Sequence, residues 1–195
     1  MSTPRTTVII AEAQGNVTAL GQARLDEDPT IRAASLGALA RLGALTNADV
    51  LEGLGDQDAA VRCRAIELGI ARSELDLIRM LDDADDLVVE TAAWALGERG
   101  SNDDATLARL SEVGRTHEVS ICREAAVAAL GAIGDNAGLP TILHAMTDRA
   151  PVRRRAVLAL APFDTDQVTM ALRDALDDRD RQVRQAAEDL LGTES

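Results

Sequence analysis

The chain has 195 residues, and 46% of them are hydrophobic, mostly Ala, Leu and Val, with one Trp, one Phe and no Tyr. That composition suits helices meeting over small side chains and suits β-sheets poorly. All twenty basic residues are arginine, and the formal net charge of −13 argues against nonspecific attachment to nucleic acid or to a membrane surface.

Residues 1–13 hold a short apolar run followed directly by Glu12. It lacks a full hydrophobic core and a cleavage pattern, so no signal peptide is expected. The segment reads as an N-terminal cap or tail, and no stretch approaches the roughly 18 apolar residues of a membrane span. A cytoplasmic protein with no membrane partner is the expectation.

Six helix pairs follow in order. Asn16 to Asp26, with Val17, Leu20 and Leu25 as its apolar face, precedes Pro29 and a partner helix from Thr30 to Leu42. Asn47 to Leu54 pairs with Ala60 to Ala71, with Asn47 and Asp58 as N-caps. Glu74 to Leu81 pairs with Leu87 to Glu98, and Asp103 to Val113 with Val119 to Ile133. Leu139 to Thr147 pairs with Pro151 to Pro162, where Pro140 and Pro151 fall in first turns that tolerate proline. Asp166 to Leu176 pairs with Arg181 to Leu191, and residues 193–195 form a tail.

The second helices share one frame. Numbering so that Val88 is position 4, that position holds Ile31, Val61, Val88, Cys122, Val152 and Val183, spaced by 27 to 34 residues. Position 8 is Ser35, Ala65, Ala92, Ala126, Ala156 and Ala187; position 11 is Ala38, Leu68, Ala95, Ala129, Ala159 and Leu190. Position 12 is Leu39, Gly69, Leu96, Leu130, Leu160 and Leu191. Steps of four, three and one keep these positions on one side of a helix. Alanine at position 8 requires a neighbour packed close against it. Position 16 is Gly43, Gly100 and Gly134, suited to a left-handed C-terminal cap. No pair can bury its stripe alone, and stacking the pairs buries all of them. The two cysteines, Cys63 and Cys122, fall in copies two and four, about 20 Å apart on helix spacing, beyond disulfide reach.

The run D-x-x-V-R-x-x-A-x-x-A-L-G, fullest in DPTIRAASLGALARLG, THEVSICREAAVAALGAIGD and DRQVRQAAEDLLG, resembles the short HEAT-type repeat first associated with phycobiliprotein lyases. The resemblance covers about residues 14–192 and implies an all-α, right-handed α-solenoid of about six hairpins: 14–43, 46–72, 73–100, 102–134, 137–162 and 164–192. It implies that the second helices line a concave face. It also implies an Asp–Arg ladder between repeats, carried here by Asp28, Arg32, Asp58, Arg62, Arg123, Arg153, Asp180 and Arg184. Val89 replaces the arginine of copy three, so an interruption is expected near copies three and four. A lyase-like or cofactor-chaperone role is the alternative function the resemblance permits.

The arginines recur at one frame position with aspartate nearby, which favours the ladder over a phosphate track. The only basic cluster, Arg153-Arg154-Arg155, splays over about 200° of helix, so no nucleic-acid partner is expected. His117-Glu118 resembles one of the His-Glu pairs of HEAT-repeat di-iron hydroxylases, but a single pair supplies too few ligands for a metal centre. No Cys/His pair at productive spacing, nucleophile elbow or phosphate-cradling glycine loop is present. No catalytic residue, metal or cofactor is therefore expected. Trp94 lies at position 10, outside the buried stripe, where other copies hold Gly37, Glu67, Ala128, Leu158 and Asp189. With Ile70, Gly97 and Gly131 as an apolar floor and Glu67, Glu90 and Glu124 as an acidic rim, Trp94 is the expected anchor for a partner. The expected function is a non-catalytic interaction scaffold whose groove, at Trp94, Glu67, Glu90, Glu124 and Ile70, holds a protein segment with basic and apolar residues.

Overall fold

A computed structural model describes residues 4–192. Among the described residues every regular element is helical: α1 (Pro4–Ala13), α2 (Val17–Ala23), α3 (Pro29–Arg41), α4 (Asn47–Leu54), α5 (Ala59–Gly69), a 3-10 turn (Ile78–Asp82), α6 (Asp86–Arg99), α7 (Asp104–Thr116), α8 (Ser120–Ile133), α9 (Leu139–Ala145), α10 (Ala150–Ala159), α11 (Asp166–Ala175) and α12 (Arg181–Gly192). None of these helices is long and apolar enough to cross a membrane. The expected tail, residues 193–195, lies outside the described residues, as do residues 1–3 of the N-terminal segment.

The chain divides into two compact units, one ending at Ala92 and one beginning at Ala93, with the division inside α6. In the first unit α3 packs between α1 and α5, α2 lies against α1 and α3, and α4 against α5. In the second unit α10 packs between α8 and α12, and each of these pairs with its own first helix, α9, α7 and α11 in turn. Both units are stacks of helical hairpins, the solenoid architecture the periodicity predicts.

The stripe explains why these helices stack. Positions 4 and 8 are buried in all six copies, from Ile31 and Ser35 to Val183 and Ala187. Position 9 belongs to the same seam: Leu36, Ile66, Ala93, Val127 and Val157 are all buried. These side chains meet the first helices at glycines. A Cβ on Gly53 would stand 2.9 Å from the Ala65 Cβ, and one on Gly114 would stand 3.6 Å from the Val127 Cγ2. Gly43, Gly100 and Gly134 take positive φ at the ends of their helices, as a left-handed cap requires, and so does Gly15 after α1. Gly15 stands 28 residues before Gly43, within the spacing of the repeat. Together with the packing of α1 on α3, this makes α1 a second-type helix without a first-type partner among the described residues.

Several boundaries differ from the sequence expectations. The first helix of the third pair, expected over Glu74 to Leu81, is only the 3-10 turn Ile78–Asp82. Copies two and three are the closest in sequence, so the connection has little room. The Asp76 side chain accepts the Ile78 N–H at 2.9 Å, which competes with helix propagation. The turn still buries Met80 and Leu81, as well as Leu77 just before it. The cap of α4 is Thr46, not Asn47: Thr46 and Asp49 exchange side-chain-to-backbone bonds in a capping box. Leu25 is 72% exposed because α2 ends at Ala23, and Val17 is also exposed; Leu20 alone of that trio is core. Cys63 and Cys122 are both buried and outside any disulfide.

Candidate interaction surface

The arginine series is structural. Arg32 on α3 donates from Nε and Nη2 to Asp56 at 2.8 and 2.6 Å, and from Nη1 to the carbonyls of Asp26 and Glu27. Arg62 repeats this geometry on Asp83, at 2.8 and 2.7 Å, and on the carbonyls of Asp56 and Gln57. In the second unit Arg123 grips Asp148 at 2.6 and 2.7 Å, and Arg153 grips Asp178 with both bonds at 2.7 Å. Arg184 donates to the Asp178 carbonyl. Each of the four bidentate pairs ties a helix-entry loop to the loop of the next copy. A guanidinium so engaged has little left for a phosphate.

The carboxylates of the ladder are not those expected. Asp28, Asp58 and Asp180 cap helices: their Oδ1 atoms accept the N–H groups of Thr30, Ala60 and Gln182 at 2.8 to 2.9 Å. The bridging acids sit two residues earlier, at Asp56, Asp83 and Asp178, or one earlier at Asp148. A carboxylate aimed at its own helix N-terminus cannot also reach the preceding copy. Val89 holds the arginine position of copy three, and His117 holds the bridging-acid position of copy four. That rung is therefore missing from the sequence on both sides. Hydrogen bonds from the paired arginines hold Asp56, Asp148 and Asp178 below the ordinary aspartate value of 3.8. At Asp83 burial pushes the carboxyl up, but the Arg62 and Asp85 donors outweigh it and the net shift is downward.

The outward rows differ between the units. In the first, position 10 is Gly37 and Glu67. A Cβ on Gly37 would meet the Arg64 guanidinium at 2.7 Å, so Arg64 lies over Gly37, and it pairs with Glu67 at 2.7 Å. Glu90 and Ile70, also in this unit, are half-buried. In the second unit position 10 is Trp94, Ala128, Leu158 and Asp189, with Trp94 46% and Leu158 41% exposed. Gly97 and Gly131 leave no hollow into which Trp94 could fold. A Cβ on Gly97 would stand 2.9 Å from the Ala129 Cα, and one on Gly131 would stand 2.7 Å from the Ala159 Cα. The neighbouring helices already fill that space, which leaves the indole on the surface.

Between α8 and α10 lies a shallow depression of about 480 Å³, lined by Ala128, Ala132, Arg155, Leu158, Ala161 and Pro162 among others. Glu124 is partly occupied by Arg155, at 3.5 Å. Two of the three rim acids, Glu67 and Glu124, thus face an arginine of their own unit. Leu158 and Arg155 were not expected in the site, although the sequence carried the signal: Leu158 is the next large apolar residue in the frame position of Trp94.

Comparison with known proteins agrees with this architecture. No curated protein matches the sequence. Among solved structures, YibA of Escherichia coli is 18% identical and superimposes with a TM-score of 0.66 over 100% of this chain and 76% of its own. A designed armadillo repeat protein is 17% identical with a TM-score of 0.57, covering 98% of each chain. Another, solved in complex with the peptide (KR)4, is 18% identical with a TM-score of 0.57 over 100% of both chains. At such identities the likeness concerns the fold alone. The family model described as HEAT repeats matches residues 50–131 and 117–192, more than half of the sequence. With its hairpins, its alanine seam and its arginine rungs, the chain belongs to the HEAT-repeat family.

Proposed function

We propose that the protein is a non-catalytic interaction scaffold that holds a polypeptide segment along its second helices, with Trp94 and Leu158 receiving the partner's apolar side chains. The observation that carries this reading is the exposure of the chain's one tryptophan, at 46%, in a frame position where the next large side chain is an equally open leucine. An exposed tryptophan has the character of a binding hot spot. The net charge of −13 favours basic residues in the partner through long-range attraction. Glu124 already answers Arg155, so the attraction comes from the overall charge rather than from one acid. The (KR)4 peptide held by a designed armadillo neighbour gives a precedent for a basic segment on a fold of this kind.

The test uses an amidated peptide of four Arg-Leu repeats, labelled for fluorescence anisotropy. Binding is expected, and Trp94→Ala should weaken it by about thirtyfold, corresponding to a hot-spot loss of about 2 kcal/mol. No binding by the wild type, or equal affinity for the variant, overturns the reading.

A further inference from the structure

The depression between α8 and α10 offers, beside the Leu158 of the scaffold reading, an arginine that this reading does not use. Its lining is alanine, glycine, leucine and proline with a single ionic residue, Arg155. A guanidinium carries five N–H donors. The ion pair Arg155 makes is one 3.5 Å contact with Glu124, and its side chain is 39% exposed. This contrasts with Arg123 and Arg153 on the same helices, each saturated by a bidentate aspartate. Arg155 and Leu158 are three residues apart on α10, so their side chains rise from the same face about 5–6 Å from each other. A cation and an apolar wall at that separation match the two groups that hang from one Cα at the end of a peptide chain, a carboxylate and an apolar side chain.

Resting on the scaffold reading, we infer that this depression is a subsite for the C-terminal residue of the partner segment. It takes an aliphatic side chain against Leu158 and the alanines, with the terminal carboxylate on Arg155. The volume of about 480 Å³ is within the range of small-ligand pockets and accommodates a leucine with its carboxylate. Glu124 is then a competitor for the guanidinium, and its removal strengthens the site.

The probes are N-acetyl-leucine and its uncharged counterpart N-acetyl-leucinamide, titrated into the ¹⁵N-labelled full chain and followed by amide chemical shifts. N-acetyl-leucine is expected to shift Ala128, Ala132, Leu158 and Ala161 at millimolar concentration. The amide should bind about fivefold more weakly, the scale of one exposed charge-assisted contact. Arg155→Gln should abolish that preference, and Glu124→Gln should tighten N-acetyl-leucine. Equal binding of the two probes, shifts confined to other residues, no shifts, or a preference that survives Arg155→Gln each overturns the inference. Neither probe is a basic peptide, so the amidated Arg-Leu peptide and Trp94→Ala report separately on the scaffold reading.

Discussion

A methyl group on Gly131 would stand 2.6 Å from the Cβ of Ala159 and 3.0 Å from its carbonyl oxygen. Most of what it meets is backbone, which cannot swing aside. Gly131→Ala should therefore destabilise the protein by about 1–3 kcal/mol, the cost of overpacking, even though alanine is the better helix former. A methyl group on Gly21, inside α2, would meet nothing within 4 Å, and Gly21→Ala should stabilise by about 0.5–1 kcal/mol. Urea melts of the two variants distinguish these signs; a neutral Gly131→Ala would mean that α8 and α10 are not in backbone contact. The same residue-scale geometry decided the fate of Trp94. Its frame position outside the stripe was legible in the sequence. Whether the glycines left a hollow for it was not, because that depends on how closely the next helix approaches.

The hairpins are held at their loops by the arginine rungs. Arg153 is buried and bidentate on Asp178, and removing one partner of a buried pair strands the other. Asp178→Ala should cost about 3 kcal/mol in a urea melt, and adding Arg153→Leu should recover part of that loss. A double variant no better than the single one would show that the rung matters by packing rather than charge. The rungs also set an acid limit. Asp56, Asp148 and Asp178 have folded-state values below those of the unfolded chain, so the unfolded state binds more protons in the interval between. Their contribution is complete above about pH 5 and is lost as pH falls through the depressed values. Urea melts from pH 6 to pH 3 should show that decline, with a shallower slope in Asp178→Asn; a flat profile contradicts it. The position of the arginines followed from the repeat, but the identity of their acids did not. Asp56-x-Asp58, Asp83-x-Asp85 and Asp178-x-Asp180 each offer two carboxylates, and only side-chain direction separates the cap from the bridge. The short turn at Ile78–Asp82 escaped for a related reason: Leu77, Met80 and Leu81 have helical spacing, while Asp76 stops the helix from forming.

Across the whole chain, one repeat carries two different surfaces. The buried seam is nearly uniform from copy to copy, which is why the architecture was readable from periodicity. The outward row changes from Gly37 and Glu67 in the first unit to Trp94, Ala128, Leu158 and Asp189 in the second. The proposed recognition follows from that change, and it places the task of the protein on an open indole. Acrylamide quenching of tryptophan fluorescence measures this directly, because Trp94 is the only tryptophan. Ready quenching is expected in the free protein, with a severalfold reduction when the amidated Arg-Leu peptide is saturating. Emission already shielded in the free protein, or quenching unchanged by bound peptide, would contradict the proposed recognition.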